Sequence, residues 1–590
     1  MNFNEYKYLD LAKISEEILS YWEKNEIFKK SVNKNSGKNP YIFFEGPPSA
    51  NGLPGIHHVL ARSIKDIFLR FKTMKGFYVQ RKAGWDTHGL PVELGVENSL
   101  GITKEDIGKK ISVEDYNEEC KKAVMKYTDI WNDLTLKMGY WVDVNNPYVT
   151  YTPKYMESVW WLLKQIYDKE LMYKGYTIQP YSPKAGTAIS SHELNQPGTY
   201  QDVSDTTVTA QFKLLTKNLP DFLNSDTDIF VIAWTTTPWT LPSNTALTVG
   251  PKIKYSLIRS FNQYTGMKAD YIVAEDLISK QFSNVYYESD NLQDLAEYEF
   301  NAKKIPFVKI NSFLGKELEN IKYEQLIDYA VPYENPKDAF RIILGDFVTT
   351  TDGTGIVHTA PTFGADDALV AKSAKPPVPP MLVKDSNGDL VPLVDLQGKF
   401  RPEMRELAGK FVKNEYYEKD NTPEKSVDVE IAIKLKTENK AFKVEKYKHS
   451  YPNCWRTDKP ILYYPIDSWF IKASSFRDKM VSLNKKINWK PKSTGEGRFE
   501  KWLENVNDWN LSRSRFWGIP LPIWRTEDGK EEICIGSIEE LINEIEKSVD
   551  KGFMKGNIFS EFKLNDLSDE NYSKIDLHKN VVDSIILVSN

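Results

Sequence analysis

Apolar residues near the start of the chain recur first at helical and then at strand spacing. Residues 9–31 repeat them every three to four positions, which predicts a helix. Residues 41–45 begin with four apolar or aromatic side chains, and a turn rich in Gly, Pro and Asn follows, which predicts a buried strand and then a loop. A second helix is predicted after the turn and ends at Gly76. Its apolar stripe consists of Leu60, Ile64, Ile67, Phe68 and Phe71.

Further along, the pattern changes from mixed to strand-rich and back. Residues 77–89 resume as a strand and loop, so the order strand, turn, helix, strand opens a βαβ unit. Helices are predicted over 115–138 and 153–169. From about 195 to 360 short β-branched stretches alternate with turns, which predicts a separate insertion, and residues 448–525 return to mixed α/β sequence.

Composition limits the class of protein. A chain of 590 residues exceeds a single core, so several domains are expected. Hydrophobic residues make up 41% and no long apolar run occurs, so we predict no membrane span. Cys120, Cys454 and Cys534 are far apart, which argues against a disulfide framework and favours a reducing, cytoplasmic location. The net charge of −5 means that any nucleic acid must be bound by local patches and shape.

The segment EGPPSANGLPGIHHVLAR, residues 45–62, lies where the predicted strand meets the helix. Exposed amides and the positive end of a helix hold phosphate well. His57 and His58 can donate hydrogen bonds to phosphate oxygens, and Asn51 with Gly52 suits a turn in which backbone approaches a ligand. The plainer alternative is a strand–helix connector with two surface histidines.

Gly55, Ile56, His57 and His58 resemble the His-Ile-Gly-His signature of class I aminoacyl-tRNA synthetases, with the first and third positions exchanged. The resemblance implies that Gly55, His57 and His58 stabilise the phosphates of ATP during adenylate formation. We expect function to survive the exchange, and inhibitors that mimic the adenylate, such as mupirocin-like compounds, to bind less well. The competing hypothesis is a decayed site.

The segment GWDTHGLPVE, residues 84–93, resembles the isoleucyl branch of that family. The resemblance implies that Asp86 pairs with the α-ammonium of isoleucine, for which a carboxylate is the right partner. It also places Pro47 and Trp517, the latter in WNLSRSRFWGIPLPIW at residues 509–524, along the side-chain pocket. Without the resemblance, Asp86 would be a helix cap and the other two ordinary core or turn residues.

Two further segments resemble the editing domain of these enzymes, WTTTPWTLPSN at residues 234–244 and TGIVHTAPTFGADD at residues 354–367. Editing is needed because one methylene, the difference between isoleucine and valine, is worth only about 1–3 kcal/mol in a pocket. The implied editing residues are Thr235, Thr236, Thr237, Trp239, Thr240, Asn244, His358 and Asp367.

The resemblance also implies roles for these residues. The threonine hydroxyls would bind the terminal ribose and position water. Asp367, beside Asp366, would hold the ammonium of the mischarged amino acid, and His358 would lie near the terminal adenosine or the scissile ester. The alternatives are a β-strand, which threonine favours, and a loop surface for the aspartates.

Several features of the family are missing from the sequence. Ser182 and Ala185 replace one cysteine pair that holds zinc in relatives, and Cys454 is alone at the other, so we predict no zinc. The second signature, Lys-Met-Ser-Lys-Ser, does not occur, and the anticodon-binding helices are missing. Residues 583–590, DSIILVSN, are typical of an unfinished strand, so we expect the chain to be an amino-terminal fragment.

The predicted fold class is α/β, with an incomplete Rossmann-type nucleotide-binding core interrupted by a β-rich connective-peptide editing domain. The predicted segments are an N-terminal helical extension (1–39), the first half of the catalytic domain (40–193), the editing domain (194–447), a return to the core (448–530) and an incomplete C-terminal segment (531–590).

The resemblance implies activation of isoleucine by ATP with Mg²⁺, transfer to the tRNA for isoleucine, and hydrolytic editing of mischarged valine. We expect a cytoplasmic monomer that is not associated with a membrane. Two rivals stay open, a stand-alone deacylase of mischarged tRNA and a non-catalytic tRNA-binding protein. The basic stretch at residues 485–493 is a candidate tRNA contact, but a solvated face is the favoured interpretation.

Overall fold

The computed structural model describes residue 5 and residues 7–217 and 219–589. It divides the chain into two compact units. The flanking unit comprises the residues up to Tyr173 together with those from Arg515 onward, and the inserted unit is Lys174–Ser514. This division is coarser than the five predicted segments, whose boundaries stay a prediction.

The flanking unit is mainly helical. Its helices are Leu11–Lys24, Ile27–Asn33, Ile56–Met74, Leu90–Leu100, Val113–Val124, Thr128–Lys137, Pro153–Tyr167, Ile538–Asp550, Asp569–Tyr572 and Lys579–Val582, with a 3-10 turn at Lys104–Asp106. The helices predicted over 115–138 and 153–169 are confirmed. The predicted N-terminal helix is two helices, because Glu26 has a φ of +48° between them.

Strands in the flanking unit are short. Lys82–Trp85 pairs in parallel with Asp143–Val149, and Ile523–Arg525 forms a hairpin with Glu532–Cys534. The strand predicted within residues 77–89 is therefore confirmed.

The buried strand predicted at residues 41–45 is wrong. This segment makes one backbone hydrogen bond of the parallel kind, from Tyr41 N–H to the carbonyl of Tyr78 at 2.8 Å, beside an isolated bridge. Ile42 and Phe44 are 73% and 89% exposed. A buried parallel strand needs paired neighbours and covered faces, and the described part of the chain supplies neither to this segment. Residues 583–589 also form no strand.

The helix Ile56–Met74 is confirmed, but its predicted apolar stripe does not face a core. Leu69, which lies outside that stripe, is the buried residue, and the five stripe residues are 48–66% exposed. The opposite, polar face packs instead, since Arg62 donates to Thr135 Oγ1 at 2.7 Å and lies over the ring of Trp131. Periodicity finds the helix but not the neighbour against which it lies.

The inserted unit is built on a ten-stranded mixed sheet. Its main path runs in the order Tyr286–Glu288, Ile305–Leu314, Lys254–Phe261, Lys268–Ala274, Ile229–Thr235, Ile356–Thr359, Ala246–Val249 and Arg341–Leu344. Tyr200–Lys213 pairs with both Ile229–Thr235 and Ala441–Pro452. This confirms the predicted strand-rich insertion, and the largest core in the described chain packs around the sheet.

Smaller elements complete the inserted unit. Its other strands are Met172–Ser182 (which begins just before the unit), Thr187–Ala188, Leu462–Ile471 and Trp509–Asn510 in one sheet, and the hairpin Leu382–Lys384 with Leu390–Pro392. Its α-helices are Ser191–Leu194, Ile278–Gln281, Gln293–Ala296, Ala365–Ser373, Val427–Thr437, Arg477–Asn484, Lys492–Thr494 and Glu500–Glu504. The 3-10 helix Pro238–Ser243 also belongs to this unit and contributes to the site described below. Among the residues that the structure describes, no helix has the length and apolarity to cross a membrane.

Candidate functional site

The first candidate site is the turn before the helix Ile56–Met74. Gly55 caps this helix in an extended conformation, and its N–H donates to Nδ1 of His58 at 2.9 Å. Nδ1 of His58 is thus an acceptor, so the neutral ring carries its proton on Nε2. Partial burial and then the neighbouring His57 and Arg62 lower the pKa of His58. A neutral donor at a helix start suits a phosphate.

The exchanged signature is sterically consistent. The imidazoles of His57 and His58 lie 3.8 Å apart between ring centroids. A Cβ added to Gly55 would lie 2.8 Å from Cε1 of His57, closer than real Cβ contacts. A side chain at position 55 would therefore require the exposed ring of His57 to move.

The rest of the turn is tied to the helix Thr128–Lys137. The carbonyl of Gly52 accepts from Trp131 Nε1 at 2.8 Å, and Ser49 Oγ donates to Asn51 Oδ1 at 2.8 Å. A Cβ at Gly52 would meet nothing within 4 Å, so the surrounding space is open to a ligand. The structure thus brings Asn51, Gly52, Gly55, His57 and His58 together on one turn.

The three residues implied for isoleucine meet at the loop that follows the strand Lys82–Trp85. The N–H of Asp86 donates to the carbonyl of Pro48, next to Pro47, at 3.0 Å. The indole N–H of Trp517 donates to the carbonyl of Thr87 at 2.6 Å. The Asp86 side chain is exposed. Partial desolvation raises the pKa of its carboxyl, and a backbone hydrogen bond from His88 opposes that rise.

Glu93 holds the segment that carries Trp517, a role that the sequence did not reveal. Its carboxylate is fully buried, accepts from the N–H groups of Phe516 (3.0 Å) and Trp517, and pairs with Arg515. Burial raises the pKa of Glu93, although Arg515 opposes this rise. Glu93 lies inside the quoted motif, but no local signal indicates a partner 422 residues away.

A histidine pair beside Trp517 was also missed. The ring of His578 stacks on Trp517 with 4.6 Å between centroids and 5° between planes, and its Nε2 lies 2.9 Å from Nε2 of His88. Nδ1 of His578 contacts Asp576 Oδ1 at 2.5 Å. Burial and then His578 lower the pKa of His88 to about 3, so His88 is neutral. No sequence pattern pointed to His578.

The second candidate site is a cavity of about 400 Å³ in the inserted unit. It lies where the strand Ile229–Thr235 and the 3-10 helix Pro238–Ser243 face the strand Ile356–Thr359 and the start of the helix Ala365–Ser373. Six of the eight predicted editing residues line it: Thr235, Thr236, Thr237, Thr240, His358 and Asp367. The sequence did not predict that Trp234, Phe347, Thr349 and Asp352 would line it too.

Hydrogen bonds fix the tautomer of His358. Asn244 Nδ2 donates to Nδ1 of His358 at 2.9 Å and to the carbonyl of Ala246 at 2.8 Å, which sets the orientation of the amide. Thr240 Oγ1 donates to the carbonyl of Thr237 at 2.8 Å, so it can only accept from Nε2 of His358, 3.0 Å away. His358 therefore carries its proton on Nε2, and burial lowers its pKa to about 3.

Further hydroxyl groups extend the hydrogen-bond network around His358. Tyr323 OH donates to Asn244 Oδ1 at 2.6 Å, and Thr237 Oγ1 lies 3.3 Å from Thr235 Oγ1 and 3.4 Å from Thr240 Oγ1. Asn244 thus supports the cavity from behind. Trp239 does the same, with its buried ring against Phe363 at 5.0 Å between centroids.

Asp367 is one of the two carboxyls that line the cavity. It lies in the first turn of the helix Ala365–Ser373, and its Oδ2 accepts from the N–H of Ala360 at 2.8 Å. Burial and then Asp366 raise its pKa to about 6, with the Ala360 N–H opposing. The carboxylate is thus ionised near pH 7 and close to titration. A Cβ at Gly364 would lie 2.7 Å from its carboxyl carbon, so a side chain there would displace the Asp367 carboxyl.

Within the described residues, no group of three or more His, Cys, Asp or Glu side chains is placed to hold a metal ion. Cys120, Cys454 and Cys534 are free and buried.

Comparison with known proteins identifies the family of this chain. Residues 17–583 match the family described as tRNA synthetases class I (I, L, M and V). Isoleucine–tRNA ligases from Bacteroides fragilis, Porphyromonas gingivalis and Cytophaga hutchinsonii are 57%, 55% and 56% identical to the whole of this chain, which covers 52%, 52% and 51% of them. The chain spans about half the length of these curated relatives. The resemblance noted in the sequence is confirmed, and this mixed α/β chain belongs to the class I tRNA synthetases of the I, L, M and V group.

Proposed function

We propose that this chain carries the activation and editing sites of an isoleucine–tRNA ligase. The flanking unit contributes to a Rossmann-type core that joins isoleucine to ATP and passes it to the tRNA for isoleucine, and the inserted unit hydrolyses mischarged valyl-tRNA. Relatives named isoleucine–tRNA ligase are 55–57% identical over the full chain, which supports the choice of amino acid.

Activation is an in-line attack of the isoleucine carboxylate on the α-phosphorus of ATP, which releases pyrophosphate. The helix start at Gly55 and the Nε2 proton of His58 donate to phosphate oxygens, while Asp86 pairs with the ammonium of the amino acid. Mg²⁺ fits as part of the substrate, because it is commonly held by phosphates with few protein carboxylates. The chain's residues bind and orient, so catalysis comes from position and charge.

Editing is attack of water on the ester carbonyl of valyl-tRNA, which releases valine and the terminal ribose hydroxyl. Asp367 holds the ammonium of valine, and the threonine hydroxyls bind the ribose and the water. His358 cannot take a proton from that water, because its Nδ1 accepts from Asn244 and its Nε2 is already protonated. It orients Thr240 instead.

One observation carries the proposal. Thr240 and His358, 118 residues apart in sequence, lie in hydrogen-bond contact beside Asp367 at one cavity. Such convergence of hydroxyls with a carboxyl of raised pKa is typical of a functional site rather than of a plain strand.

Hydrolysis of valyl-tRNA specific for isoleucine tests it. We expect this chain to release valine and to spare isoleucyl-tRNA. Asp367→Ala should abolish the release, whereas Asp366→Ala, which removes the exposed neighbouring carboxylate, should keep most of it. Equal hydrolysis of both esters, or full activity in Asp367→Ala, would contradict the editing assignment. The cytoplasmic location and the monomeric state stay predictions.

A further inference from the structure

A buried ion pair lies directly behind the threonine-rich peptide. Lys413 and Asp428 are 6% and 5% exposed, and Lys413 Nζ lies 3.8 Å from Asp428 Oδ2. Lys413 also bonds Asp205 Oδ2 at 3.0 Å, which His449 Nε2 approaches at 3.3 Å. Neither member of the pair lines the cavity.

The pair reaches the peptide through one backbone hydrogen bond. Asp428 Oδ1 accepts from the N–H of Trp239 at 2.8 Å, in the first turn of the 3-10 helix Pro238–Ser243. The first amides of a helix lack partners within the helix, and a carboxylate is a strong acceptor for them. Asp428 itself lies in the first turn of the helix Val427–Thr437, whose N-cap is Ser426.

Stability alone does not account for this arrangement. The desolvation cost of a buried ion pair largely cancels its attraction, so apolar residues of the same volume would hold the fold as well. An apolar residue at 428 would nevertheless leave the Trp239 N–H without its acceptor. Burial and then Asp205 and Glu415 favour the neutral acid at Asp428, and Lys413 with the Trp239 N–H keeps the carboxylate charged.

We propose that Asp428, held in place by Lys413, is a positioning residue of the hydrolytic site. Its carboxylate fixes the backbone from Thr237 to Thr240, so that their hydroxyls face the cavity in register with His358. This inference rests on the proposed editing function and names a residue that acts through the peptide rather than on the substrate. A misplacement of about 1 Å at such a distance costs roughly a hundredfold in rate.

The inserted unit offers a matched control. Asp270 is fully buried and pairs with Arg259 at 2.7 Å, and no residue of this pair lines the cavity. Asp428→Asn and Asp270→Asn both neutralise a buried, paired carboxylate in the same unit. Each leaves a cation partner, so both lower stability, but only the first loosens Trp239. Lys413→Met removes the cation that pairs with Asp428 and so tests whether Lys413 holds Asp428 in place.

Two measurements on the full chain separate positioning from stability, both at a temperature where circular dichroism shows each variant folded. The first is the rate of valine release at saturating valyl-tRNA, with the Michaelis constant measured separately. We expect Asp428→Asn and Lys413→Met to lower the rate at least about tenfold with a nearly unchanged Michaelis constant, and Asp270→Asn to stay within about twofold.

The second is hydrogen exchange of the peptide spanning residues 234–244. Its protection should fall about tenfold or more in Asp428→Asn and stay unchanged in Asp270→Asn, because the Trp239 amide loses its charged acceptor. A wild-type rate in Asp428→Asn, or a lost rate with unchanged exchange, would overturn the proposal. If the wild-type chain released no valine, the proposed function would fail, and the exchange measurement would still decide whether Asp428 fixes the peptide.

Discussion

At the scale of single residues, the histidines of the two candidate sites differ from Asp367 in how they hold a proton. His58 and His358 are each held neutral with the proton on Nε2, because a hydrogen bond is donated to Nδ1. Asp367 instead lies near its titration point, since burial raises its pKa to about 6. The histidines therefore keep fixed donor roles around pH 7, and the carboxylate is the group that responds to mild acid.

Valine release should fall as the pH drops through about 6, because protonated Asp367 no longer pairs with the ammonium of valine. Stability should respond with the opposite sign. The folded-state pKa lies above the ordinary value of 3.8, so protonation favours the folded state as the pH falls from about 6 towards about 4. Rates corrected for uncatalysed ester hydrolysis, beside urea midpoints, over about pH 5 to 8 test both signs.

Asp428 titrates in the same range and in the same direction, so it needs its own control. Asp428→Asn should keep the acid fall from a lower plateau, and Asp367→Asn should be inactive at every pH. A wild-type rate that stays level from about pH 7 to 5 would show that Asp367 does not hold the ammonium in charged form.

At the scale of elements, sequence periodicity located helices well and their neighbours poorly. The helix Ile56–Met74 lies where it was predicted, yet Leu60 and Phe68 are exposed and Leu69 is buried. The period of 3.6 residues defines a face, but the packing partner decides which face is covered. The same limit explains why residues 41–45 were wrongly predicted as a strand, since pairing depends on distant residues.

The segment that carries Trp517 also depends on distant partners. The helix Leu90–Leu100 contributes Glu93 and Glu97 to Arg515 and so fixes the segment that carries Trp517. Glu93→Ala removes the acceptor for two backbone N–H groups and takes one of two buried carboxylate partners from Arg515. We expect a loss of about 3–5 kcal/mol in the free energy of unfolding, measured by urea denaturation.

An exposed pair in the same unit provides the comparison. Asp133 and Lys137 lie one helical turn apart with 61% and 70% of their side chains exposed. Asp133→Ala should therefore leave the free energy of unfolding nearly unchanged. Similar losses in the two variants would mean that Glu93 is not a buried support for the Trp517 segment.

At the scale of the whole molecule, the sequence predicted a strand-rich insertion, and the boundaries of its editing domain, 194–447, stay a prediction. β-branched stretches identified residues 195–360 as strand-rich, and the inserted unit runs over Lys174–Ser514. The pairing of Tyr200–Lys213 with Ala441–Pro452 joins residues such as Thr207 and Glu445, 238 positions apart. Long-range ladders leave no local signal, whereas the motifs that line each site are contiguous and were readable.

Because each site is built within one unit, variants in the two sites should act independently. Gly55→Ala places a Cβ against His57, so it should weaken binding of a non-hydrolysable isoleucyl-adenylate analogue roughly tenfold without altering valine release. Asp367→Ala should abolish valine release without altering binding of the analogue, and the double variant should show both losses and no more.

Gly95→Ala, in an exposed helix position with open space around its Cβ, is the control for added bulk and should leave binding unchanged. Calorimetric titration of the analogue and the valine-release assay, run on all four variants, give the answer. If Gly55→Ala also slowed valine release, the two sites would be coupled, and activation and editing could not be assigned to separate units.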